Sequence, residues 1–310
     1  MQLVQDPLVD NLKGLEVFRV TGPDDKMIRA AFIASSAEKP RGSVILAPGR
    51  TEYIEKYAET ITDLLARGFH VLTVDHRGQG WSDRLGSTHF AGHLDSFTKA
   101  AEHLARAVEA VSDRLTGRRV LLSHSMGGAI CLEALLVDAI PNVVGAAFSA
   151  PMWGILGPPG MKLLAKSLVV AGKAKDVAPS LPTMWQPEAF EANQVTHDLK
   201  RFARNNALML AEPALQIGGP TNGWLDEAFK ALASFTPARL SRLNMPILVV
   251  SAEGETIVDN SSHVRICGQL PNAQLRIIPG ARHELLNETD AIRDQFWSLF
   301  DSWVGPLLAE

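Results

Sequence analysis

The feature that most constrains this chain is a repeated alternation: short apolar runs bounded by turn residues, with amphipathic stretches between them. Such alternation is the signature of βαβ units that build a mostly parallel sheet with helices on both faces. The runs predict eight strands, over residues 16–20, 28–34, 43–47, 70–75, 119–123, 143–149, 247–252 and 274–278. Helical periodicity marks 53–67, 97–115, 126–137, 261–270 and 291–304, with Gly68 and Gly117 placed where helices stop. The alternation fails between Pro151 and Leu243, where Pro158, Pro159, Pro179, Pro182, Pro187, Pro213, Pro220 and Pro237 break up short amphipathic pieces. The 310 residues therefore divide into a core (1–150), an inserted helical cap (151–243) and the rest of the core (244–310). An independent helical domain is the other reading of the insertion.

One strand-to-helix junction carries chemistry. In Val120-Leu-Leu-Ser-His-Ser125-Met-Gly-Gly128 a serine lies between an apolar strand and a helix, flanked by the small residues Ser123 and Gly127. That is a nucleophile-elbow pattern with Ser123 in place of the usual first glycine. A serine that merely caps the helix is the plainer reading. A serine hydroxyl needs a base, and the order expected of an elbow serine is serine, acid, histidine. Of nine histidines only His197, His263 and His283 follow Ser125. His283 alone comes just after the last strand, in a loop containing Gly280, whereas His197 and His263 read as surface residues. Beyond the seventh strand, Glu255 and Asp259 both fit the order for the acid, with Glu253 a third choice. An oxyanion would be met by the backbone N–H of Met126 and that of Arg50, in the Pro48-Gly49-Arg50 turn. The insertion is rich in apolar side chains, and Met152, Trp153 and Trp185 are expected to line an acyl pocket.

Other function classes find little support. The net charge of −4, without a basic cluster, does not suit a nucleic-acid binder. Arg77-Gly-Gln-Gly80 starts like a dinucleotide fingerprint, but Asp83 stands where a third glycine is required. His89 and His93 are four apart, yet Gly86 and Gly92 around them suggest a solvated loop and not a metal site. The two cysteines, Cys131 and Cys267, have no pairing or metal spacing, which fits a reducing compartment. The first ten residues lack a signal peptide's basic flank and apolar run, and no stretch reaches the ~20 apolar residues of a membrane span. A cytoplasmic location follows as an expectation, with any membrane contact peripheral, at the inner face.

Beyond these single features, six segments resemble the lysophospholipase L2 and monoacylglycerol lipase branch of the α/β-hydrolases, the bacterial lysophospholipase L2 group most of all. They are Pro48-Gly-Arg-Thr-Glu52, Asp75-His-Arg-Gly-Gln-Gly80, Ser123-His-Ser-Met-Gly-Gly128, Ala150-Pro-Met152, Gly218-Gly-Pro-Thr221 and Val258-Asp259-Asn260. The resemblance implies an α/β-hydrolase fold: a mostly parallel eight-stranded sheet flanked by helices, with an inserted helical cap. It implies hydrolysis of the fatty-acyl ester of a lysophospholipid through an acyl-serine, without metal or organic cofactor. Related sequences place the acid three positions after a small residue that ends the strand; counting from Ala252 gives Glu255, a glutamate where most relatives have aspartate. Asp259 then falls at a helix start. Monoacylglycerol lipase, general carboxylesterase, lipid acyltransferase and a non-catalytic binding protein on the same scaffold remain the alternatives.

Overall fold

A computed structural model describes residues 3–308; the ends of the two core segments, residues 1–2 and 309–310, lie outside the described residues. Among the described residues, eight strands form one sheet: β1 (Glu16–Thr21), β2 (Met27–Ile33), β3 (Gly42–Ala47), β4 (Phe69–Val74), β5 (Arg119–His124), β6 (Val143–Ser149), β7 (Ile247–Ala252) and β8 (Ala273–Ile278). Their order is β1-β2-β4-β3-β5-β6-β7-β8; β1/β2 and β2/β4 are antiparallel, and the other pairs parallel. Every residue of β3, β4, β5 and β7 is buried. This explains why they read as unbroken apolar runs: helices cover both faces of a parallel sheet. The edge strands β1 and β8 are partly exposed.

The helices are α1 (Pro7–Asp10), α2 (Ala58–Ala66), α3 (Phe97–Ala110), α4 (Met126–Leu136), α5 (Met161–Val170), α6 (Leu199–Ala211), α7 (Asn222–Ser234), α8 (Pro237–Leu240), α9 (Asn260–Cys267) and α10 (Asp290–Leu308). Strand residues alternate between two apolar clusters. Ile45, Leu121 and Val249 face α3, α4, α7 and α9, while Val44, Leu122 and Val250 face α1, α2 and α10. Helix α3 stops five residues short of the sequence expectation. Val111 and Leu115 continue its buried stripe as turns, so periodicity could not separate them from helix.

The chain leaves the sheet after β6 and returns at β7, with α5 to α8 between. The last two of these helices pack on the main core. Trp224, Leu225 and Ala228 of α7 and Leu240 of α8 share one cluster with α3 and α4, although the sequence reading grouped them with the insertion. From β3 the chain first adds β4 on one side and then β5 on the other, which opens a crevice at the carboxyl ends of these strands.

Candidate active site

Ser125 occupies that crevice, between the last residue of β5 and the first of α4. Its backbone is strained, with φ 49° and ψ −118°, a conformation a β-carbon disfavours. The surroundings hold it there: the Ser125 amide donates to the Ser149 carbonyl (3.1 Å), and its carbonyl accepts from the amides of Gly128 (2.8 Å) and Met152 (2.9 Å). Only small neighbours permit this turn. A β-carbon on Gly127 would lie 2.3 Å from the Ala47 carbonyl oxygen, and one on Gly49 would lie 3.1 Å from the Ser125 β-carbon.

His283 reaches the serine from the loop after β8. Its Nε2 lies 2.9 Å from Ser125 Oγ and its Nδ1 2.7 Å from Glu255 Oε2. With a carboxylate at Nδ1, that nitrogen carries the hydrogen and Nε2 is left to accept from the serine hydroxyl. The other Glu255 oxygen accepts the amides of Thr256, Ile257 and Val258. Burial works to raise this carboxyl, but the bonds from His283, Ile257 and Val258 outweigh it and hold the group below its ordinary 4.5. Glutamate, longer than aspartate, reaches the imidazole by folding back over its own loop. Asp259 is not in this chain of bonds: it caps α9, accepting the Ser261 amide at 2.9 Å. Glu253 accepts the Gly280 amide (2.8 Å) and so ties the acid loop to the histidine loop.

The amides of Arg50 and Met126, the expected oxyanion donors, meet no acceptor among the described residues. Two groups the sequence reading passed over hold the Arg50 turn. Gln79 donates to the carbonyls of Gly49 (2.7 Å) and Glu52 (3.0 Å) and accepts from the Thr51 amide. Glu52 accepts from the Gly49 amide, the Tyr57 hydroxyl (2.6 Å) and His124 Nδ1 (3.1 Å), and pairs with Lys56 (2.9 Å). His124 Nε2 in turn donates to the His283 carbonyl at 3.2 Å. Both His124 nitrogens face acceptors, so the ring is an imidazolium. Burial works against that charge, but Glu52 raises the His124 pKa above 6.5. Burial likewise works to raise Glu52, and Lys56 and His124 hold it well below the carboxylate range.

A cavity of about 610 Å³ adjoins the site, lined by Trp185, Phe202, Met209 and Ile217 on its apolar side and by Arg50, Asn205 and Glu284 among its polar groups. Trp185 is on a wall of this cavity. Met152 and Trp153 are not. Trp153 is fully buried, donates to the Gly128 carbonyl (3.3 Å) and packs on Phe148, and Met152 joins the same core, because both follow β6 directly under α4. His263, expected at the surface, is buried between Ser251 Oγ (2.7 Å) and the Pro151 carbonyl (2.6 Å). His197 is exposed, as expected, and bonds Glu288 (2.8 Å). His93 is buried against Thr221 Oγ1 (2.7 Å) instead of solvated, while His89 is exposed. No group of three or more His, Cys, Asp or Glu converges as metal ligands among the described residues.

A strained serine above a mostly parallel sheet, bonded through a histidine to a carboxylate, defines a serine hydrolase of the α/β-hydrolase fold. The family described as serine aminopeptidase, S33, matches residues 38–290, and the chain belongs to it. Lysophospholipase L2 of Escherichia coli (strain K12) is 34% identical over 301 residues, covering 93% of this chain and 86% of its own. Monoacylglycerol lipase of Mycolicibacterium smegmatis is 28% identical over 257 residues, covering 81% of this chain and 84% of its own. Among solved structures, a soluble variant of monoglyceride lipase from Saccharomyces cerevisiae, in complex with a substrate analog, superposes with a TM-score of 0.76 at 18% identity, covering 100% of this chain and 99% of that one.

Proposed function

We propose that the protein hydrolyses the acyl ester of lysophospholipids, with Ser125 as nucleophile, His283 as base and Glu255 as the acid that orients it. The observation that carries this reading is the unbroken hydrogen-bond chain from Glu255 through His283 to a serine in a strained turn. The Ser125 oxygen adds to the ester carbonyl as its proton passes to His283 Nε2, and the amides of Arg50 and Met126 receive the oxyanion. Collapse expels the glycerophosphodiester alcohol, which takes the proton from Nε2. Water then attacks the acyl-serine and gives a proton to Nε2, and collapse releases the fatty acid as that proton returns to Ser125 Oγ.

The 34% identity to the Escherichia coli lysophospholipase L2 supports the substrate class, and the Mycolicibacterium relative supports monoacylglycerol as the second reading. The family's description points instead to a peptidase acting on a free α-amino group, which needs a waiting carboxylate. Of the cavity's carboxylates, Glu284 is engaged by Lys56 at 2.7 Å and Glu188 stands exposed. This favours the ester. For a lipid substrate, peripheral membrane contact has its support in α5, which exposes Leu163, Leu164 and Val170 beside Lys162 and Lys166. No helix among the described residues is long and apolar enough to cross a membrane.

The test is a panel of a lysophospholipid, a monoacylglycerol, a short p-nitrophenyl ester and an aminoacyl anilide. The lysophospholipid should be turned over fastest. Ser125→Ala should lose fluorophosphonate labelling and about 10⁴-fold to 10⁶-fold in turnover. Retained turnover in that variant, or a preference for the anilide, would sink the reading.

A further inference from the structure

The Arg50 side chain borders the cavity with most of its hydrogen-bonding capacity unused. Nη2 donates to the Gly218 carbonyl at 2.6 Å, and the guanidinium carbon lies 5.5 Å from the centroid of the Trp224 ring. Nε and Nη1 meet no acceptor among the described residues, and Nε is shielded from solvent. No carboxylate pairs with this cation. Two other enclosed cations are matched, Arg29 with Asp75 and Glu55, and Lys56 with Glu52 and Glu284; Arg119 has no ion pair but donates to the carbonyls of Pro141 and Ser112. Arg84 also lacks an ion pair, but it donates to three backbone carbonyls, those of Gly78, Gly80 and Ala214. Arg50 is different in being both unpaired and mostly unbonded. Burial with no anion against it brings its guanidinium down to about 10.

Arg50 is half-buried, and a guanidinium so placed at a cavity wall with no anion against it is one that an anionic ligand can complete. The chain keeps this space for it. A β-carbon on Gly92 would come within 2.2 Å of Nη2, and Gly92 bridges to Pro220, which brings the Gly218 carbonyl alongside. Arg50 lines both the 610 Å³ cavity and a small gap that it shares with Met126, the other proposed oxyanion donor.

We infer that the Arg50 guanidinium recognises the phosphodiester of the substrate headgroup, an inference that rests on the lysophospholipid reading above. The glycerol unit separates the scissile ester from the phosphate ester by three carbons. The arginine side chain separates its own backbone from the guanidinium by three methylenes. One residue thus serves the carbonyl oxygen with its amide and the phosphate with its fork of donors, the geometry in which arginine holds phosphate oxygens in pairs. A monoacylglycerol offers that fork only neutral hydroxyl oxygens, so the site favours the charged lipid.

The experiment uses the whole protein on lysophosphatidylcholine and on a monoacylglycerol of the same acyl chain, with glycerophosphocholine as inhibitor of p-nitrophenyl butyrate turnover. Wild type should be inhibited competitively by glycerophosphocholine. In Arg50→Gln the kcat/KM ratio of lysophospholipid to monoacylglycerol should fall about tenfold to a hundredfold, chiefly through KM, and the inhibition should weaken alike. Arg50→Lys, which keeps the charge but not the fork, should recover part of both. Equal losses on the two lipids would make Arg50 a clamp for its loop, and that result, an unchanged ratio, or a wild type indifferent to glycerophosphocholine overturns the inference. A wild type that turns over neither lipid removes the lysophospholipid reading instead, and the phosphodiester site is then decided by the glycerophosphocholine titration alone.

Discussion

At the residue scale, two carboxylates four positions apart have taken different work. Glu255 Oε2 is at His283, whereas Asp259 bonds the first turn of α9. Glu255→Gln should therefore lower turnover about 10²-fold to 10⁴-fold with folding intact. Asp259→Asn should leave turnover near wild type and reduce stability by at most about 0.5 kcal/mol, since asparagine also caps helices. Rates and circular dichroism on both variants check this, and the reverse pattern would move the role to Asp259. The juxtaposition of Ser125, His283 and Glu255 was legible because chain order, an elbow motif and a strand-end count all point to it. Glu52, His124 and Gln79 lay inside motifs the reading quoted but had no assigned part. Their partners are up to 159 positions away, as His124 is from the His283 carbonyl, and local spacing carries no trace of that.

The Glu52–His124 pair also fixes a pH window. The His124 pKa is raised, so its contribution is complete below the unfolded 6.5 and is lost as pH rises through the folded value. The Glu52 pKa is depressed, so its contribution is complete above the unfolded 4.5 and is lost as pH falls through the folded value. Glu52→Gln leaves a buried imidazolium unpaired and should cost about 3 kcal/mol between pH 4.5 and 6.5. The difference should shrink on the alkaline side as His124 becomes neutral. Urea midpoints of the two proteins across pH measure it, and a pH-independent difference would count against the imidazolium.

At the scale of elements, the strands were legible and the division of the insertion between lid and core was not. Central strands buried on both faces leave a run no turn or surface helix imitates, as in Val44-Ile-Leu-Ala47. Helices α5, α7 and α8 share a cluster with α3 and α4, while α6 packs Leu208 and Met209 against Tyr53 and Leu215, so nothing in the local pattern says which are lid and which are core. Helix α5 is the exposed extreme: Leu163 is 69% and Val170 81% accessible, with Lys162 and Lys166 alongside. On the proposed peripheral contact, this helix would lie in a bilayer interface with its lysines toward anionic headgroups. Leu163→Ser combined with Val170→Ser should reduce co-sedimentation with phosphatidylglycerol vesicles at least about tenfold, given ~1.5 kcal/mol or more for each buried aliphatic side chain. Hydrolysis of p-nitrophenyl butyrate should not change. Undiminished sedimentation would place the membrane contact elsewhere.

At the scale of the whole molecule, the proposed function puts most of what selects apart from what reacts, with Arg50, which joins the two, as the exception. Ser125, Glu255 and His283 stand on the carboxyl ends of β5, β7 and β8, strands that are locked between two apolar layers. Much of the cavity wall, from Leu181 through Trp185 to Phe202 and Met209, comes from the single excursion between β6 and β7. Substrate identity was accordingly the part least legible in the sequence, since a wall of helices carries no reaction motif. The separation has a historical consequence. Because the excursion is anchored to the core at Met152, Trp153, α7 and α8, changes confined to its cavity-lining residues can accumulate with little effect on the serine and its histidine, whereas changes at the anchors cannot. On the proposed function, lineages sharing this architecture can change substrate largely by rewriting that lining, with Arg50 the one selective group carried by the inherited core.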